Sequence, residues 1–150
     1  MGFVADAFRV NAFQFLLKPI SRQDFDKDLR RAFEHYKVRR CIYVISHTDG
    51  KAAIEVGDIV FIESYGRRLN LHTPESKYTF SGKLSFEESR LNVHGVFILC
   101  HKGFLVNMGY IKDVRKKTIL LKNDKEIPLS KHRRPDVLKK FNDYLAGSGV

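Results

Sequence analysis

A chain of 150 residues with 43% apolar side chains, eighteen Phe and Tyr among its aromatics, suffices for one ordinary domain with a core and excludes wholesale disorder. Twenty-seven Lys and Arg against seventeen Asp and Glu leave a net charge of +10, which favours a polyanionic partner. No apolar run reaches the ~18–20 residues of a membrane span, and the first residues lack the basic and apolar regions of a secretory signal, so no membrane partner is expected and the chain reads as cytoplasmic.

In chain order, residues 1–12 carry a short amphipathic pattern, and Phe13 to Leu17 is a compact apolar run that predicts a buried strand ending at Lys18-Pro19. Ser21 is a good N-cap, with Asp24 three residues on, and Phe25, Leu29, Ala32 and Phe33 then recur at helical spacing, which predicts a helix with one buried face. From Cys41 the period changes. Strands are predicted over 41–45, 58–63, 68–72, 78–80, 96–101, 110–115, 118–121 and 126–129, with a helix over 85–91. His47 to Gly50 and Asn123 to Lys125 are turn signals, and a last helix is predicted from Arg134 to Leu145 with Pro135 in its first turn.

The positive charge is concentrated. Residues 101–140 hold twelve Lys and Arg against four Asp and Glu. Clusters fall on predicted loops: Arg67-Arg68 after a Tyr-Gly turn, His101-Lys102-Gly103, and Ser130-Lys131-His132-Arg133 before the last helix. A planar guanidinium suits a guanine edge or a phosphate. Cations beside a helix N-terminus oppose the helix dipole, an arrangement that a bound phosphate would relieve. The six histidines form no metal pattern, Cys41 and Cys100 lack zinc spacing, and neither a nucleophile elbow nor a phosphate-binding Gly-Lys loop occurs. No enzyme activity, metal or cofactor is expected. Cys100, next to His101, raises the question of redox sensitivity.

Two resemblances extend this reading. Ala12 to Ile20, with the amphipathic helix after it, resembles the last third of a response-regulator receiver domain; the resemblance implies that Lys18 is the switch lysine of a Lys-Pro pair. The family's acidic pair and phosphoacceptor aspartate belong to earlier strands than these, so no phosphotransfer is expected. Three segments, 58–69, 97–111 and 126–134, together resemble the LytTR DNA-binding domain of LytR/AgrA-type response regulators. The expected division is a truncated receiver over 1–37, a basic linker over 38–41 and a LytTR-type domain over 42–146.

The resemblance implies an α+β fold, mostly β, with short sheets and a C-terminal helix after an αβα remnant. It implies loops that enter the grooves of double-stranded DNA, direct repeats bound by two molecules as a homodimer on the DNA, and transcription regulation within a two-component system. The residues expected to face DNA are Arg67, Arg68, His101, Lys102, Ser130, Lys131, His132 and Arg133. Asn107 is expected to serve backbone groups in a turn. The alternative is a protein-interaction module in which the receiver remnant associates with an intact regulator.

Overall fold

The computed structural model describes residues 22–147; Lys18, the segments predicted over 1–17 and the cap at Ser21 lie outside them. Helix α1 (Arg22–Arg40) leads into hairpin β1 (Ile42–His47) and β2 (Gly50–Glu55), and a 3-10 turn at Val56–Asp58 precedes β3 (Phe61–Tyr65), β4 (Arg68–His72) and β5 (Lys77–Ser81). Helix α2 (Leu84–Asn92) follows, then β6 (Phe97–His101) and β7 (Phe104–Asn107). A second 3-10 turn at Met108–Tyr110 introduces β8 (Ile111–Val114), β9 (Thr118–Leu121), β10 (Glu126–Pro128) and helix α3 (Arg134–Gly147). The mostly β architecture agrees with the sequence expectation.

All strand pairs are antiparallel and form three sheets: β1-β2, the five-stranded β5-β4-β3-β7-β6, and β10-β9-β8. The five-stranded sheet is the middle layer. Successive residues of a strand point to opposite faces, and here both faces are packed. Ile62, Leu69, Leu71, Phe97 and Leu105 face one core, with Tyr43, Ile45 and Ile54 of the first hairpin and Leu84 and Leu91 of α2. Phe61, Ile98, Cys100 and Val106 face the other, with Ile119, Leu121, Ile127 and Val137. That double burial is why Ile59 to Ile62 and Phe97 to Cys100 are unbroken apolar runs rather than alternating ones. Each such side chain fully buried contributes ~1.5–3 kcal/mol.

Asn107 lies almost fully buried beside these cores. Its Nδ2 donates to the Ile59 carbonyl (2.9 Å) and its Oδ1 accepts from the Gly109 N–H (2.9 Å), while the Tyr110 hydroxyl donates to the Gly57 carbonyl (2.7 Å). The two 3-10 turns are thereby tied together, and Asn107 holds the structural role expected of it.

Three expectations need revision. Strand β2 escapes sequence reading because Gly50-Lys51-Ala52-Ala53-Ile54-Glu55 buries Ile54 alone and carries little β-propensity. The segment read as the linker is mostly the last turn of α1, which continues to Arg40; Cys41 alone separates it from β1. Of the helix face predicted to be buried, Ala32 is half-buried while Phe25, Leu29 and Phe33 are 46–58% exposed, and Tyr36 beyond them is 59% exposed. Among the described residues α1 packs mainly near the Val56–Asp58 turn, anchored by Arg40–Glu55 (3.1 Å) and by the Val56 N–H to Cys41 carbonyl bond (2.8 Å).

Candidate nucleic-acid interface

Four loops gather at one end of the stack. The first is the β3–β4 hairpin, whose two-residue turn is Gly66-Arg67, with Tyr65 opposite Arg68. Gly66 has φ +63°, at the first central position where a type II′ hairpin turn needs a residue free of a Cβ. A Cβ there would meet nothing within 4 Å, so the constraint is the backbone and not crowding. Gly66→Ala is therefore expected to lower stability by ~1–2 kcal/mol in urea unfolding. Arg67, Arg68 and Tyr65 are all exposed, Tyr65 to 78%.

The second loop, His101-Lys102-Gly103, joins β6 to β7. The Ser64 N–H donates to the Gly103 carbonyl (2.8 Å), which ties this loop to the first hairpin. His101 Nδ1 accepts the Gly103 N–H (3.1 Å), so Nε2 carries the proton of the neutral ring, and the ring packs edge-on against Phe104. The histidine thus anchors the turn. Lys102 is exposed at its tip. A Cβ on Gly103 would stand 3.9 Å from the Ser64 carbonyl oxygen, an ordinary contact, so crowding against that backbone is not what selects glycine here.

The third loop runs from Ser130 into α3. The Ser130 N–H donates to the Cys100 carbonyl (2.9 Å), next to His101, and the Ser130 carbonyl accepts from Arg133 and Arg134 (3.1 Å each). Ser130 is half-buried, while Lys131, His132 and Arg133 are exposed. The eight residues singled out in the sequence are thereby brought to one end; Lys18 lies outside the described residues.

A fourth loop, Arg115-Lys116-Lys117 between β8 and β9, joins them. The Leu129 N–H donates to the Lys117 carbonyl (3.0 Å), and Arg134 Nε donates to the Arg115 carbonyl (3.1 Å). Nothing in the sequence alone places this loop beside Ser130–Arg133.

Residues 64–68, 101–103, 115–117 and 130–134 contain nine Lys and Arg and no Asp or Glu. The other ends of these strands are mixed in sign, with Glu75 and Lys77 at the start of β5, and Asp124 and Lys125 in the β9–β10 turn. Among the described residues no helix is long and apolar enough to cross a membrane.

Cys100 lies beneath the contact loops, fully buried, with its thiol aimed at the Phe104 (3.7 Å) and Pro128 (3.5 Å) carbonyls. Burial pushes the thiol up to about 12, against smaller opposing pulls from a backbone hydrogen bond and the Arg133 charge. The thiolate is the reactive form, and it is absent at ordinary pH. Alkylation followed by mass spectrometry at mildly alkaline pH is expected to label Cys41 in the native chain and Cys100 only after denaturant is added.

The family model described as the LytTr DNA-binding domain matches residues 49–142. The chain belongs to the LytTr DNA-binding domain family. It is 28% identical to the sensory transduction protein LytT of Bacillus subtilis (strain 168) and 25% identical to the transcriptional regulatory protein BtsR of Salmonella typhi, in each case with 86% of this chain aligned. The chain spans 59% of the length of these relatives. The LytTr fold is also that of a solved LytTr DNA-binding domain from Bacillus cereus, with a TM-score of 0.55 at 22% identity over 67% of this chain and 94% of that one.

Proposed function

We propose that this chain binds double-stranded DNA in a sequence-specific manner and regulates transcription in the cytoplasm as a response regulator of the two-component type. The observation that carries the reading is the strongly basic end of the LytTr domain, where four loops that hold nine Lys and Arg and no Asp or Glu are held together by backbone hydrogen bonds to buried strands. Arg67 and Lys102 sit on hairpin tips, with Arg68 beside them at the start of β4, the geometry in which a side chain enters a groove and meets base edges. His101, Ser130, Lys131, His132 and Arg133 form the adjoining surface that takes phosphates and sets the register. In this reading residues 1–37 are the end of a receiver, Lys18 its switch lysine, and two molecules occupy direct repeats.

The test is selection of a duplex from a randomised DNA pool with the full chain, followed by titration of the recovered duplex and of its scrambled version at several salt concentrations. A preference of at least ~100-fold supports the reader. Equal binding that disappears with modest salt reduces the surface to a nonspecific polyanion patch. A second reading, association with an intact regulator, is favoured by the open row Phe25, Leu29, Phe33 and Tyr36 on α1. Sedimentation of the chain alone and mixed with a full-length relative distinguishes the two.

A further inference from the structure

The tip of the β8–β9 loop differs from the cations on either side of it. Lys112 pairs with Asp124 (3.4 Å), and Arg115 is held between Asp113 (3.3 Å) and Glu126 (2.7 Å). Lys116 and Lys117, at the tip, are exposed and have no ion-pair or hydrogen-bond partner for their ammonium groups among the described residues. Their backbone, by contrast, is fixed. The Arg115 N–H donates to the Thr118 carbonyl (2.8 Å), closing the tip; the Lys117 carbonyl takes the Leu129 N–H, and the Arg115 carbonyl takes Arg134. Arg134 thus spends its guanidinium on positioning this loop against the residues that begin α3.

The loop belongs to the third layer of the stack, whereas Arg67, Arg68 and Lys102 belong to the middle layer. Packed sheets lie ~10 Å apart, so the lysines are set to one side of the hairpin tips by a distance comparable to the width of a groove. A duplex whose groove receives the tips would then present a backbone strand to this flank. An ammonium on a flexible stem suits a phosphate, as a point charge without a required direction, better than it suits a base edge.

We propose that Lys116 and Lys117 are phosphate-positioning residues that extend the DNA-binding surface onto the β8–β9 hairpin and contribute affinity without sequence preference. The inference rests on the DNA-reader function proposed above. Its test uses the full chain, the duplex recovered by selection and the scrambled duplex, with Lys116→Ala/Lys117→Ala compared with Lys122→Ala, an exposed lysine past the far end of β9. The slope of log affinity against log salt is expected to flatten by about 1–2 for the double variant, with both duplexes weakened by the same factor and the preference between them kept. Lys122→Ala is expected to leave the slope unchanged.

An unaltered slope in the double variant overturns the proposal, and so does a comparable loss with Lys122→Ala, which would mean that net charge alone matters. Collapse of the preference overturns it as well, since the lysines would then read bases. A circular-dichroism melt checks that the variants fold; Lys116→Gln/Lys117→Gln, which keeps the side-chain length, replaces the alanine pair if that pair unfolds. Failure of the wild-type chain to select any duplex would instead remove the function on which the inference stands.

Discussion

The double variant Arg67→Ala/Lys102→Ala is expected to abolish the preference for the selected duplex over its scrambled version while leaving measurable binding to both. Each lost base contact should remove ~1–3 kcal/mol of discrimination, so the pair together should lower the preference by one to several orders of magnitude, roughly tenfold per 1.4 kcal/mol. Residual binding is expected because the Ser130–Arg133 loop and its neighbours keep their charge. Both side chains are exposed at turn tips and neither holds a core contact, so the melting temperature should not move. Competition titrations with the two duplexes read the result. Equal weakening of both, with the preference intact, would show that these side chains touch phosphate only and that the bases are read elsewhere.

Asn107→Ala is expected to be the most damaging substitution away from the surface. The amide sits at 5% exposure and serves two backbone groups at once, the Ile59 carbonyl and the Gly109 N–H. Truncation leaves the buried Ile59 carbonyl and the part-buried Gly109 N–H without that partner; a buried orphaned group costs ~1–3 kcal/mol and a part-buried one less, so a total of about 2–4 kcal/mol is anticipated. That is a large share of the ~5–15 kcal/mol by which single domains are stable. Denaturant unfolding with the midpoint and slope fitted separately checks the figure. Asn107→Asp is an informative companion, since its carboxylate still accepts from Gly109 but cannot donate to Ile59 and brings a buried charge; it should be no better tolerated than alanine. A loss below about 1 kcal/mol for Asn107→Ala would mean that the two 3-10 turns hold without the amide.

The strands that sequence reading placed best are those whose chemistry is local. Arg68 to His72 alternates exposed and buried positions and starts after a glycine turn, and Thr118 to Leu121 ends at a turn signal; both strands have the predicted bounds. Strand β2 has almost no side chain to announce it, and its existence depends on β1 alongside. The exposure of the α1 face among the described residues was not legible either, because apolar spacing reports what a helix is able to bury and not which element lies against it. For the candidate site, the residue types came from turn chemistry and family resemblance. Their convergence did not: it rests on hydrogen bonds between residues far apart in sequence, Ser64 with Gly103, Cys100 with Ser130 and Leu129 with Lys117. Periodicity carries no information about such pairs, which is why the place of Lys116 and Lys117 in the site was not legible in the sequence.

Segregating nine cations onto one end, with mixed charge at the other, also gives the molecule an electric direction. Near a polyanion such a body feels a torque as well as a pull, and it turns its basic end forward before the surfaces touch. Fewer collisions are then wasted on the wrong orientation, and the association rate rises above the 10⁵–10⁷ M⁻¹s⁻¹ typical of unsteered encounters, by a factor that falls steeply as salt screens the field. That field reaches about 10 Å at 0.1 M salt and about 3 Å at 1 M. Added salt should therefore slow arrival first, while the lifetime of a docked complex, governed by contacts already dry and paired, changes less.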